Sequence, residues 1–325
     1  MKLTVIIPTL KADDALDDCL ASLRAQTLTD FDIVVVANGP IARDLLPTHI
    51  IRNDQNGGYG KAINQGVRIS QGDYILALND DTTVHPACLE QLVKVMDSRY
   101  EIGMCAPQIR LQGTGKLDST GMLISPDGSS KQRHHGDPAP ADGGRPTHAL
   151  LPSGCAALYR RAMLDEIGLF EEDFFLYCED TDLGLRARWN AWECVYVPDA
   201  VVEHRYSHSS AKASALKAYY VERNRILLVA RNFPLREALL SPFQSFIRYF
   251  WHWNFNRKGR GMAALYDDSE SIASVLFRAW RDAFVRLPAA LRHRRLVQTK
   301  ARLTPRQFQK LLKSYRISGR EVAAQ

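Results

Sequence analysis

Short, unbroken apolar runs alternate with segments of helical spacing along the first third of the chain. This rhythm restricts the fold more than any other feature. Lys2–Pro8, Asp32–Ala37 and Tyr74–Leu78 read as buried strands, Ile50-Ile51 as part of a short strand and Ile102–Ile109 as another strand. Between them, Leu16, Cys19, Leu20 and Leu23, then Ala62, Ile63, Gly66, Val67 and Ser70, then Leu89, Leu92, Val93 and Met96, recur at helical intervals. Such alternation predicts an α/β domain, a mostly parallel sheet with helices on both faces. No run reaches the roughly 18 apolar residues of a membrane-spanning helix.

Residues 111–150 break the rhythm, being rich in Gly, Pro, Asp and His, and predict a hairpin and a long loop. Alternation resumes with a strand at 156–159, helices at 161–167 and about 180–190, a strand at 194–197 and a helix over 213–232 that Pro234 ends. The six cysteines form no C-x-x-C pair, which argues against a zinc ribbon or a disulfide framework and fits a reducing cytoplasm. Leu3–Ile7 is too short to be the core of a signal peptide.

Acidic clusters stand at two places that matter for chemistry. Asn79-Asp80-Asp81 ends the run Tyr74–Leu78, and carboxylates at the C-terminal edge of a buried strand lie where open α/β sheets bind ligands. Glu179-Asp180-Thr181-Asp182 follows about a hundred residues later. One cluster can hold a hard divalent cation while the other takes a proton. The plainer alternative is that Asp81-Thr82 opens a helix with Pro86 at its first position. Asn56-Gly57-Gly58-Tyr59-Gly60, between a strand and a helix, is equally a tight turn and a ligand loop, and matches neither a Walker A loop nor G-x-G-x-x-G.

Five segments in order resemble family 2 glycosyltransferases of GT-A fold, in the branch of bacterial rhamnosyltransferases. They are Val5–Thr9, the Asn56–Gly66 loop, Leu78–Thr82, Phe170–Arg186 with its Glu179-Asp180 pair, and Val197–Ala200 followed by His204. They span about residues 1–235. The resemblance implies that Asp81 and His204 bind Mg²⁺ or Mn²⁺, and that Asp180 is the general base, supported by Glu179 and Asp182. It places Pro8, Thr9, Asn38, Asn56, Gly58, Tyr59, Asn64, Asn79 and Asp80 around a nucleotide-sugar. Where many relatives carry Asp, this chain has Ala37, and Asn38 is expected to take part of the contact to the base. Asp81 and Asp180 are expected to flank one reactive carbon.

The implied reaction is inverting sugar transfer in cell-surface polysaccharide synthesis, such as O-antigen or cell wall. Its donor is dTDP-rhamnose by first choice, or alternatively a UDP-hexose such as UDP-galactose or UDP-glucose. The acceptor is a glycan or a polyprenyl-diphosphate-linked sugar. On this basis residues 1–110 form the nucleotide-sugar half, 111–235 the acceptor half with the base, and 236–325 a helical basic extension. That extension holds 18 Lys and Arg against 6 Asp and Glu, a local charge of +12 against −6 for the remainder. Ile272, Val275, Leu276, Ala279, Trp280, Ala283, Phe284 and Leu287 form an apolar helical stripe beside Arg278, Arg281 and Arg286. It either meets an anionic membrane surface, placing the protein on the inner face of the plasma membrane, or packs on the catalytic domain. No nucleic-acid-binding module accompanies the charge, so no nucleic acid is expected as partner.

Overall fold

β1 (Leu3–Thr9) runs parallel to β2 (Phe31–Asn38) on one side and to β4 (Tyr74–Leu78) on the other, and β2 pairs in parallel with β3 (His49–Asn53). Every residue of β4 is buried, as a strand covered on both faces requires. The connecting helices are α1 (Asp14–Arg24) and α2 (Tyr59–Ile69), which bury the apolar positions expected from their spacing. The protein is seen in a computed structural model, which describes residues 1–41, 49–140, 143–205, 214–259 and 270–324.

Beyond β4 the sheet becomes mixed rather than mostly parallel. β6 (Ile102–Leu111) and β4 are separated by β11 (Ala156–Arg160), which is antiparallel to both. β12 (Glu193–His204) runs parallel to β6. β5 (Thr82–Val84) and β10 (Thr147–Ala149) pair antiparallel with β12, and β7 (Lys116–Ser119) with β6. Three sequence expectations change here. Thr82–Val84 is a strand, not a helix start, because two β-branched threonines and a valine suit a pairing with β12. The following helix, α3 (Cys88–Ser98), begins two residues after Pro86. Finally, beside the expected hairpin, the stretch expected as a long loop in 111–150 holds further short strands: its described residues form four, among them β8 (Met122–Ile124) and β9 (Ser130–Gln132), which pair with each other.

The chain divides into two compact units that interleave along the sequence, rather than into consecutive stretches ending at 110 and 235. The first comprises Met1–Met122, Gln132–Phe175 and Ala191–Tyr206; the second Leu123–Lys131, Leu176–Asn190 and Ser207–Gln325. α4 (Arg161–Ile167) belongs to the first unit. The second is helical: α5 (Glu179–Trp189), α6 (Ala215–Asn232), α7 (Leu235–Asn256), α8 (Ile272–Lys300), α9 (Pro305–Ser314) and α10 (Gly319–Ala324). α8 lies along α6 through Val275, Ala279, Ala283, Ala290 and Val297, small side chains that allow close approach. Trp189 of α5 stacks on Phe308 of α9 with ring centroids 3.9 Å apart and planes within 8°. No described helix is long and apolar enough to cross a membrane.

Candidate active site

The C-terminal ends of the first unit's strands gather the carboxylates. Register in the β12–β5 pair sets His204 opposite Thr82, and the Arg205 amide donates to the Asp81 carbonyl at 2.9 Å. His204 Nε2 thereby comes within 3.4 Å of Asp81 Oδ1. That oxygen is buried and has no hydrogen-bond partner. On its other side, His204 Nδ1 lies 2.8 Å from Asp118 Oδ2, and Asp118 Oδ1 lies 3.1 Å from His135 Nδ1. Burial works to raise the Asp118 pKa, but the two imidazoles hold it down to about 2.

This donor set fits a divalent cation. Asp81 Oδ1 and His204 Nε2 face the same spot, and Asp118 orients the imidazole from its other side, as outer carboxylates do for ligating histidines. Asp118, Cys155 and His204 also offer ligand atoms within 4.8 Å of one another. The buried Cys155 thiol has its pKa raised by burial, so it suits a hard cation less than the carboxylates do. Asp118, His135 and Cys155 are the partners that the sequence did not disclose. Two come from the stretch expected to be loop, and nothing in their spacing points to His204.

Asp80, next to the candidate ligand, is pushed up to about 6, chiefly by burial; a hydrogen bond with Thr9 opposes the shift and Asp81 adds to it. The ends of β1 and β4 are thus linked through Thr9 and Asp80. Asn79 is held by its backbone, its amide donating to the Cys155 carbonyl at 2.9 Å and its carbonyl accepting from the Thr82 hydroxyl at 2.7 Å.

The glycine loop is a built structure. Asn38 Nδ2 donates to Asn56 Oδ1 at 3.0 Å and to the Gly58 carbonyl at 3.1 Å, while its Oδ1 accepts from the Gly57 amide and from Asn53 Nδ2. Both donors and both acceptor sites of this amide are engaged, leaving it no capacity for a nucleobase. Asn38 therefore shapes the loop and does not read the base as the sequence suggested. Asn56 Oδ1 also takes the Gly58 amide at 2.9 Å. Asn64 is fully buried and clamps Phe170 through both its backbone groups and Glu172 through Oε1. Tyr59 hydrogen-bonds the Gly154 carbonyl at 2.7 Å. Gly58 has φ +89, and an added Cβ would lie 2.4 Å from the Phe175 carbonyl, so only glycine fits.

The second acidic cluster opens α5. Three non-glycine residues just before it, Phe175, Tyr177 and Cys178, have φ between 63° and 71°. Such strain concentrates where function over-determines the backbone. Asn224 donates to the Leu176 and Tyr177 carbonyls at 2.9 and 2.8 Å and holds the segment. Asp180 is half-buried, and its Oδ1 accepts from the Thr181 amide at 2.6 Å and lies 3.1 Å from the Thr181 hydroxyl. Glu179 is buried with Oε2 unpartnered, and burial, with Asp180 adding to it, pushes its pKa up to about 8. Asp182 differs from both. It is fully buried under Arg186 and Arg231, each at 2.8 Å, and takes the Asn232 amide at 2.7 Å. Its carboxylate is the anchor of an ion network and does not support the base, as the sequence had grouped it.

Comparison with known proteins adds three findings. The profile of glycosyl transferase family 2 matches residues 4–168. An uncharacterized glycosyltransferase of Bacillus subtilis strain 168, YwdF, is 27% identical over 234 residues, covering 69% of this chain and 82% of its own. The N-acetylglucosaminyl-diphospho-decaprenol L-rhamnosyltransferase of Mycobacterium tuberculosis H37Rv is 27% identical over 271 residues, covering 67% and 81%. Among solved structures, S. aureus TarS 1-349 in complex with UDP-GlcNAc matches with a TM-score of 0.56 at 18% identity, over 97% of this chain and 91% of that one. GalNAc-T7 with UDP, GalNAc and Mn²⁺ matches with a TM-score of 0.58 at 13% identity, over 90% of this chain, which spans 57% of that structure. At these identities the two structures speak for the fold alone.

Proposed function

This chain is a member of glycosyl transferase family 2 with the GT-A fold, and on that premise we propose that it is an inverting, divalent-cation-dependent enzyme of cell-surface polysaccharide assembly. Its donor is dTDP-rhamnose by first choice, and its acceptor is a polyprenyl-diphosphate-linked or glycan hydroxyl. The observation that carries the reading is the approach of Asp81 and His204 with Asp118 behind the imidazole. The rhamnosyltransferase among the relatives, named for an N-acetylglucosaminyl-diphospho-decaprenol acceptor, supports this choice of donor and acceptor.

Asp81 and His204 would hold Mg²⁺ or Mn²⁺, which would supply positive charge to offset that growing on the departing diphosphate. Asp180 accepts the proton of the acceptor hydroxyl. The acceptor oxygen bonds to the anomeric carbon as the bond to the nucleoside diphosphate breaks, inverting that centre. Glu179 cannot share the task, because a carboxyl that keeps its proton at neutral pH accepts none. Asp80 and Thr9 close the donor end. An acceptor embedded in a membrane places the protein peripherally on the inner face of the plasma membrane.

A panel of nucleotide-sugars incubated with Mg²⁺ or Mn²⁺ tests the reading. Release of dTDP from dTDP-rhamnose is expected. Release of UDP from a UDP-hexose instead replaces the donor assignment and keeps the reaction, a reading favoured by the TarS complex with UDP-GlcNAc. Turnover unaffected by a chelator would overturn the role of Asp81 and His204.

A further inference from the structure

α7 is amphipathic in the wrong sense for a helix surrounded by water. The residues it buries are Ser241, Ser245 and Arg248, the last paired with Asp127 at 2.6 Å and with Glu222 at 2.8 Å. Its outer side carries Leu235, Leu239, Phe243, Phe246, Phe250 and Trp253, each between 52% and 72% exposed. At about 100° per residue these six fall within an arc of about 80°, opposite Ser241 and Arg248. From Leu235 to Trp253 the stripe is about 27 Å long. Single exposed apolar side chains are ordinary, but a continuous row of this length marks an interaction surface.

The row ends in cations. Arg257 continues the same arc with its guanidinium 4.9 Å from the centre of the Trp253 ring, and Lys258 follows. Large aromatics on one face with cations at the margin are the pattern of helices lying in a bilayer interface. No described helix can span a membrane, so the contact must lie in the membrane plane. Charge argues for lipid over a second copy of the chain. In a self-complementary dimer with the stripes parallel, Arg257 and Lys258 would meet their own copies within a region that already carries +12. An anionic headgroup layer complements that charge.

We propose that α7 is an in-plane membrane anchor, with the Leu235–Trp253 stripe seated at the acyl boundary of an anionic bilayer and Arg257 and Lys258 at its headgroups. This deepens the peripheral placement above and holds whichever sugar is transferred. The sequence pointed both to the α8 stripe and to the aromatic segment Phe243–Phe255 of α7, but three of the eight α8 stripe residues, Val275, Ala279 and Ala283, are buried within the second unit.

The test is flotation of the full chain with vesicles of phosphatidylglycerol and phosphatidylethanolamine, and with vesicles of phosphatidylcholine alone. The parent protein should float with the anionic vesicles. A Phe246→Ser/Phe250→Ser variant should partition about a hundredfold less, about tenfold for each ring. An Arg257→Gln/Lys258→Gln variant should lose several-fold, and the parent should do likewise in high salt. All these side chains are exposed, and unchanged melting temperatures confirm folding. Three results would overturn the proposal: no flotation of the parent, equal flotation of the double serine variant, or a parent dimer in sedimentation that the serine substitutions dissolve. Release of nucleoside diphosphate from soluble donor, measured in the same preparations, shows separately whether the catalytic reading has failed.

Discussion

Asp180 and Glu179 are neighbours with opposite protonation behaviour, and this asymmetry can be measured. Replacing Asp180 by Asn removes the proton acceptor while keeping the size of the side chain. Turnover should fall by about 10²–10⁴-fold while donor affinity stays near the parental value, as steady-state kinetics and donor titration would show. Glu179 bears on stability. The folded state holds its proton up to about 8 while the unfolded state releases it near the ordinary glutamate value, so stability declines as pH rises through that interval. Glu179→Gln should abolish this component, on the order of a few kcal/mol, and raise the melting temperature at pH 8 relative to pH 5. At this scale the sequence singled out Asp81 and His204, which the structure brings within 3.4 Å of one another, and Asp180, whose role is a proposal. Asp118 and His135 were not singled out, because Asp118 meets His204 across 86 residues of sequence and His135 meets Asp118 in turn. Asn38 misled because an amide suited to a ligand is equally suited to closing its own loop.

Among the elements, buried parallel strands were easiest to read, since a strand covered on both faces leaves an uninterrupted apolar run. Short strands such as β5 and β7 leave no periodic trace over three or four residues, and the sequence assigned them to helix start and loop. β12, 12 residues long, extends well beyond the strand expected at 194–197. The chain bulges between Val197 and Val201, with the Pro198 carbonyl taking Gln108 Nε2 at 3.0 Å, and pairing with β6 continues. The α6–α8 seam makes a prediction of its own. Ala283 is completely buried there, and Ala283→Leu should cost about 1–3 kcal/mol by overpacking, read as a lower urea midpoint.

For the whole molecule, the interleaving of two units was not visible, because the pairings and packing that assign each segment to a unit link residues distant in sequence. The charge count was legible but overstated the free positive surface. Arg248 is paired with Asp127 and Glu222, and Arg294, also buried, donates to the Ala230 carbonyl. Cation binding reports on the intact protein. Mn²⁺ at about a hundred times its dissociation constant should add about 2.7 kcal/mol of stability. Asp118→Asn should weaken that binding by about 10–100-fold, measured by calorimetry, while leaving the number of sites unchanged.

The bulge in β12 has a further consequence. Four residues of β12 advance while β6 advances by one, so three are extra, an odd number, and the inside-outside alternation of the strand reverses there. His204 owes its inward aim to that parity. Positions 198–200 should therefore accept changes of residue type more readily than any change of length, since gaining or losing one residue would turn the imidazole to the opposite side of the sheet.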